Sequence, residues 1–147
     1  MSKYLLIPLL LGLLAACRKE PVMPPEPQIA LVSLDRDSVV EFADRVVGRF
    51  SYQDGDGDLG QPDPDAYTLW VKDARLAQAD GYHIPPLAPE GEEVPIQGEL
   101  NVELNALFLL GNGAVETTTY TIHVEDRSGN RSNTITTGPI TILPDSL

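Results

Sequence analysis

The chain has 147 residues, with 22 aspartates and glutamates against 10 lysines and arginines, a net charge of −12 at pH 7 and 42% hydrophobic residues. That acidity argues against nucleic acid or anionic headgroups as partners, and the hydrophobic content is too high for a disordered chain. The lone cysteine, Cys17, leaves no disulfide and no thiolate metal cluster to form, so packing, with any bound metal adding to it, must supply the stability of what reads as one domain.

Lys3 precedes an apolar run from Tyr4 to Leu14 that ends in Leu14-Ala15-Ala16-Cys17. A basic start, a short apolar core and small residues before a cut describe an export signal, and the core falls well short of the roughly 20 residues that span a bilayer. Leu14-Ala15-Ala16-Cys17 resembles the lipobox of bacterial prolipoproteins. That resemblance implies a signal peptide over residues 1–16, cleavage before Cys17 and covalent acylation of the thiol and new amine of Cys17, which makes it a membrane anchor. Each buried methylene contributes about 0.8 kcal/mol, so one acyl chain holds a protein marginally and a second makes the attachment lasting. Arg18 stands where enteric inner-membrane lipoproteins carry Asp, so the resemblance favours the outer membrane and leaves the leaflet open.

Residues 18–28 are too rich in proline for helix or strand and read as a polyproline II linker, reaching roughly 30 Å at about 3.1 Å per residue. From residue 29 to 147 short apolar and polar alternation is punctuated by Gly, Pro, Asn and Asp, the pattern of an all-β domain. Ile29, Leu31 and Leu34 mark a first strand, residues 45–53 a second and 66–72 a third, in which Tyr67, Leu69 and Val71 alternate with Thr68, Trp70 and Lys72. Ile96, Leu100, Val102 and Leu104 alternate with Gln97, Glu99, Asn101 and Glu103 in the cleanest half-buried strand. Tyr120, Ile122 and Val124 begin another, and the Thr-rich residues 132–143 close the domain, with Pro139 at an edge or a switch between sheets. Residues 73–93 form a long loop with room for one hairpin or helical turn, and 106–115 fit a buried strand or a short helix equally well. The sum is a β-sandwich of about seven antiparallel strands.

The run Tyr120-Thr121-Ile122-His123-Val124-Glu125-Asp126-Arg127-Ser128-Gly129-Asn130-Arg131-Ser132-Asn133 resembles the F-G hairpin of bacterial immunoglobulin-like modules. With the lipobox and the Asp-Gly series, the chain is similar to small Ig-like outer-membrane lipoproteins of Bacteroidota whose function is unknown. The resemblance implies an Ig-like sandwich over residues 46–142 and says little about function, because this architecture hosts many unrelated roles.

Asp54-Gly55-Asp56-Gly57-Asp58-Leu59-Gly60, followed by Asp63 and Asp65, is the constellation with chemistry. Alternate carboxylates separated by glycines bring several oxygens to one hard cation, and calcium is the natural candidate. An EF-hand register starting at Asp54 puts Asp56, Asp58 and Asp65 at positions three, five and twelve, but Leu59 occupies the sixth position, where a sharp turn needs Gly, and strands flank the loop. The expectation is an Asp-rich loop at one end of a sandwich, with a structural calcium ion and with Asp126 approaching it if the two loops share that end. Asp-Gly repeats are also good turn formers without metal.

His83 and His123 lack the partners of a nucleophile elbow or a zinc site, and the expectation is a protein that is not an enzyme. Trp70, on a polar-looking face, is the candidate ligand-binding residue, an indole that stacks on a sugar or inserts into a partner. Two functional readings follow: a lipid-anchored envelope module that binds an unidentified envelope protein or glycan, and a purely structural subunit of an envelope complex. A small carbohydrate-active hydrolase ranks behind both.

Overall fold

Between Ile96 and Glu103 every second side chain turns inward while its neighbours face solvent, which is what strict alternation imposes on an extended chain. The same rule accounts for the strand from Leu69 to Asp73, where Leu69, Val71 and Asp73 are buried and Lys72 is exposed, and for Tyr120–Val124. The computed structural model describes residues 22–89 and 91–145, and among them the regular elements are all strands. The expected signal segment 1–16 and the expected anchor Cys17 lie outside the described residues.

Ten strands follow in chain order: β1 (Gln28–Leu34), β2 (Ser38–Val40), β3 (Val47–Asp54), β4 (Leu69–Asp73), β5 (Asp80–Tyr82), β6 (Ile96–Glu103), β7 (Glu116–Thr118), β8 (Tyr120–Val124), β9 (Ile135–Thr136) and β10 (Ile140–Leu143). They make three sheets with the orders β1-β3-β6, β2-β10-β7 and β5-β4-β8-β9, and the whole is an all-β sandwich. All pairings but one are antiparallel; β2 runs parallel to β10. Four of the ten have no counterpart among the strands marked in the sequence: the three-residue segments β2, β5 and β7, and one of the two strands into which the closing segment divides at Gly138-Pro139. There β9 pairs with β8 and β10 with β2 and β7, so Pro139 marks a switch between sheets. β5 turns residues 73–93 into a hairpin with β4, and residues 106–115 form neither strand nor helix. β1 begins at Gln28, the last residue assigned to the linker from its prolines.

One apolar cluster joins the sheets. Ile29 and Phe50 come from the first, Val39, Ile140 and Ile142 from the second, and Leu69, Val71, Ile122 and Val124 from the third. Burying each such side chain contributes roughly 1.5–3 kcal/mol, so this cluster is the main source of stability in a chain without disulfides. At the edge of β1, the side chain of Asn133 accepts a hydrogen bond from Ile29 N at 2.9 Å and donates one to Ile29 O at 2.9 Å, standing in for a neighbouring strand.

A second, polar anchor sits beside the core. Arg75 donates to Asp73 Oδ2 at 2.7 Å, to Glu116 Oε2 at 2.6 Å and to Phe108 O at 2.9 Å, and the Thr118 hydroxyl donates to Asp73 as well. Burial alone raises the Asp73 pKa, but these donors outweigh it and hold the carboxyl below the usual carboxylate range.

Pairing registers decide what meets at the ends of the sandwich. Gln28 faces Gln53 and Asp54 faces Ile96, so the end of β3 lies beside the starts of β1 and β6. Leu69 faces Val124, which brings the turn after β8 beside the start of β4. The Asp-Gly loop that leaves β3 therefore meets the entering linker, the residues before β6 and the β8–β9 turn.

Candidate metal centre

The loop after β3 is fixed by one apolar side chain. Leu59, at the position where an EF-hand needs glycine, is fully buried and belongs to the core cluster, and its N–H donates to Asp54 Oδ2 at 2.8 Å. Leu87 N donates to Leu59 O at 3.2 Å and Gln61 N to Ile84 O at 2.8 Å, which ties the far side of the loop to residues 84–87. Leu59 is thus an anchor that pulls the loop onto the end of the core, a role that its mismatch to the EF-hand pattern does not reveal.

Each glycine of the series makes a different close approach. A Cβ on Gly55 would stand 2.3 Å from Pro24 O and 2.5 Å from Met23 O; on Gly57, 2.2 Å from Val94 O; on Gly60, 2.3 Å from Pro85 O. Gly57 and Gly60 also have positive φ, 74° and 96°, whereas Gly55 does not. The glycines therefore do more than turn the chain: they let three other segments press against the loop backbone.

This packing gathers Asp54, Asp56 and Asp58, each with one carboxylate oxygen, within 4.8 Å of one another. Asp54 is only 1% exposed. Its Oδ2 is held by Leu59 N–H, and Asp58 Oδ2 accepts from Ser128 N at 3.0 Å and Ser128 Oγ at 2.6 Å. In all three carboxylates Oδ1 is buried with no hydrogen-bond partner among the described residues. Orienting contacts on one oxygen of Asp54 and Asp58, with the other left bare, are the pattern of metal ligands held by an outer shell. Burial, aided by the charges of Asp56 and Asp58 and opposed by Leu59 N–H, pushes the Asp54 pKa up to about 6. Carboxylates this close, one buried and two half-buried, repel one another, and a divalent cation removes that cost.

Among the other residues expected at the site, Asp126 comes near without joining the group. Arg127 N donates to Asp58 O at 3.3 Å, so the two loops share one end, but both Asp126 oxygens are occupied by Asn130, at 2.7 Å from its N and 2.9 Å from its Nδ2. Burial raises the Asp126 pKa, with the charges of Asp58 and Asp56 adding to the shift against the Asn130 donors. Asp63 and Asp65 stand apart from the group of three; both are exposed, and Asp63 Oδ1 accepts from Asp65 N at 2.9 Å in a local turn. Nothing local in the sequence marks Ser128 or the carbonyls of Val94 and Pro24 as neighbours of the loop.

Trp70 is half-buried on β4, between Gly81 of β5 and His123 of β8. Tyr67, 52% exposed, meets it edge to face at 5.9 Å and 84°, and the Tyr67 ring covers Gly81, where a Cβ would lie 2.5 Å away. Arg131 donates to His123 Nδ1 at 3.2 Å. Burial and the Arg131 charge lower the His123 pKa, against the opposing pull of Glu125. Trp70 Nε1 is buried without a partner among the described residues, so the indole offers a ring face and no accessible donor.

No protein-family model matches the chain, and no curated protein or solved structure is significantly similar to it.

Proposed function

We propose that this chain is a non-catalytic, lipid-anchored module of the bacterial cell envelope, of the Ig-like kind, whose head is stabilised by a calcium ion held by Asp54, Asp56 and Asp58. The observation that carries the metal reading is the set of three buried Oδ1 atoms without hydrogen-bond partners, in carboxylates that crowd together. Oxygen-only donors at carboxylate charge suit a hard cation, and calcium accepts the irregular, many-oxygen geometry of a loop better than magnesium does. The ion's part is structural: it cancels the repulsion of the loop and pins the end of the sandwich where linker and head meet. Anchoring through acylated Cys17 follows from the lipobox resemblance, with the outer membrane as the favoured location. Tyr67 and Trp70 supply the face on which a glycan or envelope protein binds, since aromatic rings bury much area at little entropic cost.

Calorimetric titration of the full chain in detergent tests the metal reading. One calcium should bind with an affinity of the order of 10⁻⁴ M, as in extracellular modules. Asp56→Asn should abolish the heat without unfolding the loop, because Asp56 Oδ1 is bare and asparagine keeps the size of the side chain. Absence of binding in the unsubstituted chain at millimolar calcium would overturn the reading.

A further inference from the structure

The proline-rich segment that leads from the anchor is not wholly free of the head. Pro27 is buried, and Gly55 N donates to Pro24 O at 3.0 Å. Gly55 lies between two of the three clustered carboxylates, Asp54 and Asp56. The three atoms nearest a Cβ placed on Gly55 are all backbone atoms of Met23 and Pro24. One glycine therefore joins the aspartate loop to the membrane linker: its flanking residues hold the orphaned oxygens, and its own backbone holds the linker.

We propose that residues 22–27 are a calcium-dependent latch, docked on the Asp-Gly loop when the cation is bound and released when it is not. The inference rests on the reading of Asp54, Asp56 and Asp58 as calcium ligands, which the bare Oδ1 of the almost fully buried Asp54 supports independently of loop shape. Without the ion, three carboxylates crowded within 4.8 Å spread apart, and the Gly55 N–H that meets Pro24 O moves with them. The consequence is a change of stand-off. With the latch closed, residues 22–27 lie against the head; with it open, these six residues add about 19 Å of reach between anchor and head. Calcium thus sets how far the head, with its Tyr67–Trp70 face, stands from the lipid.

The chain contains two methionines, Met1 and Met23, so methyl-¹³C-methionine labelling of the full chain in detergent gives a reporter within the latch, assigned by Met23→Leu. With calcium, the Met23 methyl resonance should be shifted and broadened by docking; with chelator it should sharpen at the position of a free chain. Gly55→Ala is the uncoupling variant. Gly55 lacks positive φ, so alanine is compatible with the loop, and the closest atoms its Cβ meets belong to the linker. In Gly55→Ala, calcium should still bind, weakened by up to about tenfold because binding no longer gains from docking, while the Met23 signal remains at the free position in calcium. A Met23 signal that ignores calcium, while the ion demonstrably binds, would overturn the latch and leave the metal site standing. Failure to bind calcium at all would overturn both.

Discussion

Asp58 and Ser128, 70 residues apart, are joined by two hydrogen bonds from the serine N–H and hydroxyl to one carboxylate oxygen, at 3.0 and 2.6 Å. The pair ties the loop after β3 to the turn after β8 and aims Asp58 while leaving its Oδ1 bare. Ser128→Ala removes the shorter bond only. We expect a stability loss of about 1 kcal/mol and a calcium affinity lowered by up to about tenfold, read by denaturant unfolding and calorimetric titration respectively. Unchanged affinity would show that Asp58 needs no outer contact.

Leu59 carries the loop into the core. Leu59→Ala should cost about 2–5 kcal/mol, the range for emptying a buried leucine site. It should also weaken calcium binding, since Leu59 N–H orients Asp54. Urea unfolding with and without calcium separates the two effects. A cost below about 1 kcal/mol would mean that the loop is not anchored there.

Glycines with positive φ should differ according to what surrounds them. Gly129, φ 84°, has nothing within 4 Å of where a Cβ would stand, so Gly129→Ala should cost only the left-handed strain, about 1–2 kcal/mol. Gly57, φ 74°, adds the carbonyl of Val94 at 2.2 Å, so Gly57→Ala should cost clearly more in the same unfolding assay. Equal costs would contradict the close packing of residue 94 on the loop.

Arg75→Met leaves Asp73 buried beside an apolar side chain and should cost about 3–5 kcal/mol at neutral pH. The sign with pH follows from the depressed folded pKa of Asp73: its contribution is present above the unfolded value near 3.8 and is lost as pH falls through the lower folded value. The difference between the unsubstituted chain and Arg75→Met should therefore shrink below about pH 4. A difference independent of pH would assign the loss to packing alone.

Much of this architecture can be read from the residues, and the reason is physical. Strands that bury one face, such as β6, β4 and β8, must alternate, so their sequences carry the signal. The segments β2, β5 and β7 are three residues each and are made by pairing with a neighbour, so no period can reveal them. Asp54, Asp56 and Asp58 are close in sequence and come together; Asp63 and Asp65 follow shortly after yet turn to solvent, because the chain bends away once Leu59 is buried. Gly55 has the sequence context of a turn residue, but its φ is not positive and the need for glycine comes from Pro24, a contact only the folded chain displays. Alternation puts Trp70 on the outer face, whereas the Tyr67 ring over Gly81 depends on the β4–β5 hairpin and has no local signature.

The most direct test of a cation-stabilised head is thermal unfolding of the full chain in detergent, once with millimolar calcium and once with chelator. For an affinity of the order of 10⁻⁴ M, 1 mM calcium is about 10 times the Kd and contributes roughly 1.4 kcal/mol, which for a domain of this size raises the midpoint by roughly 5 °C. The account predicts such a rise, and its loss in Asp56→Asn. The same midpoint in calcium and in chelator would contradict it.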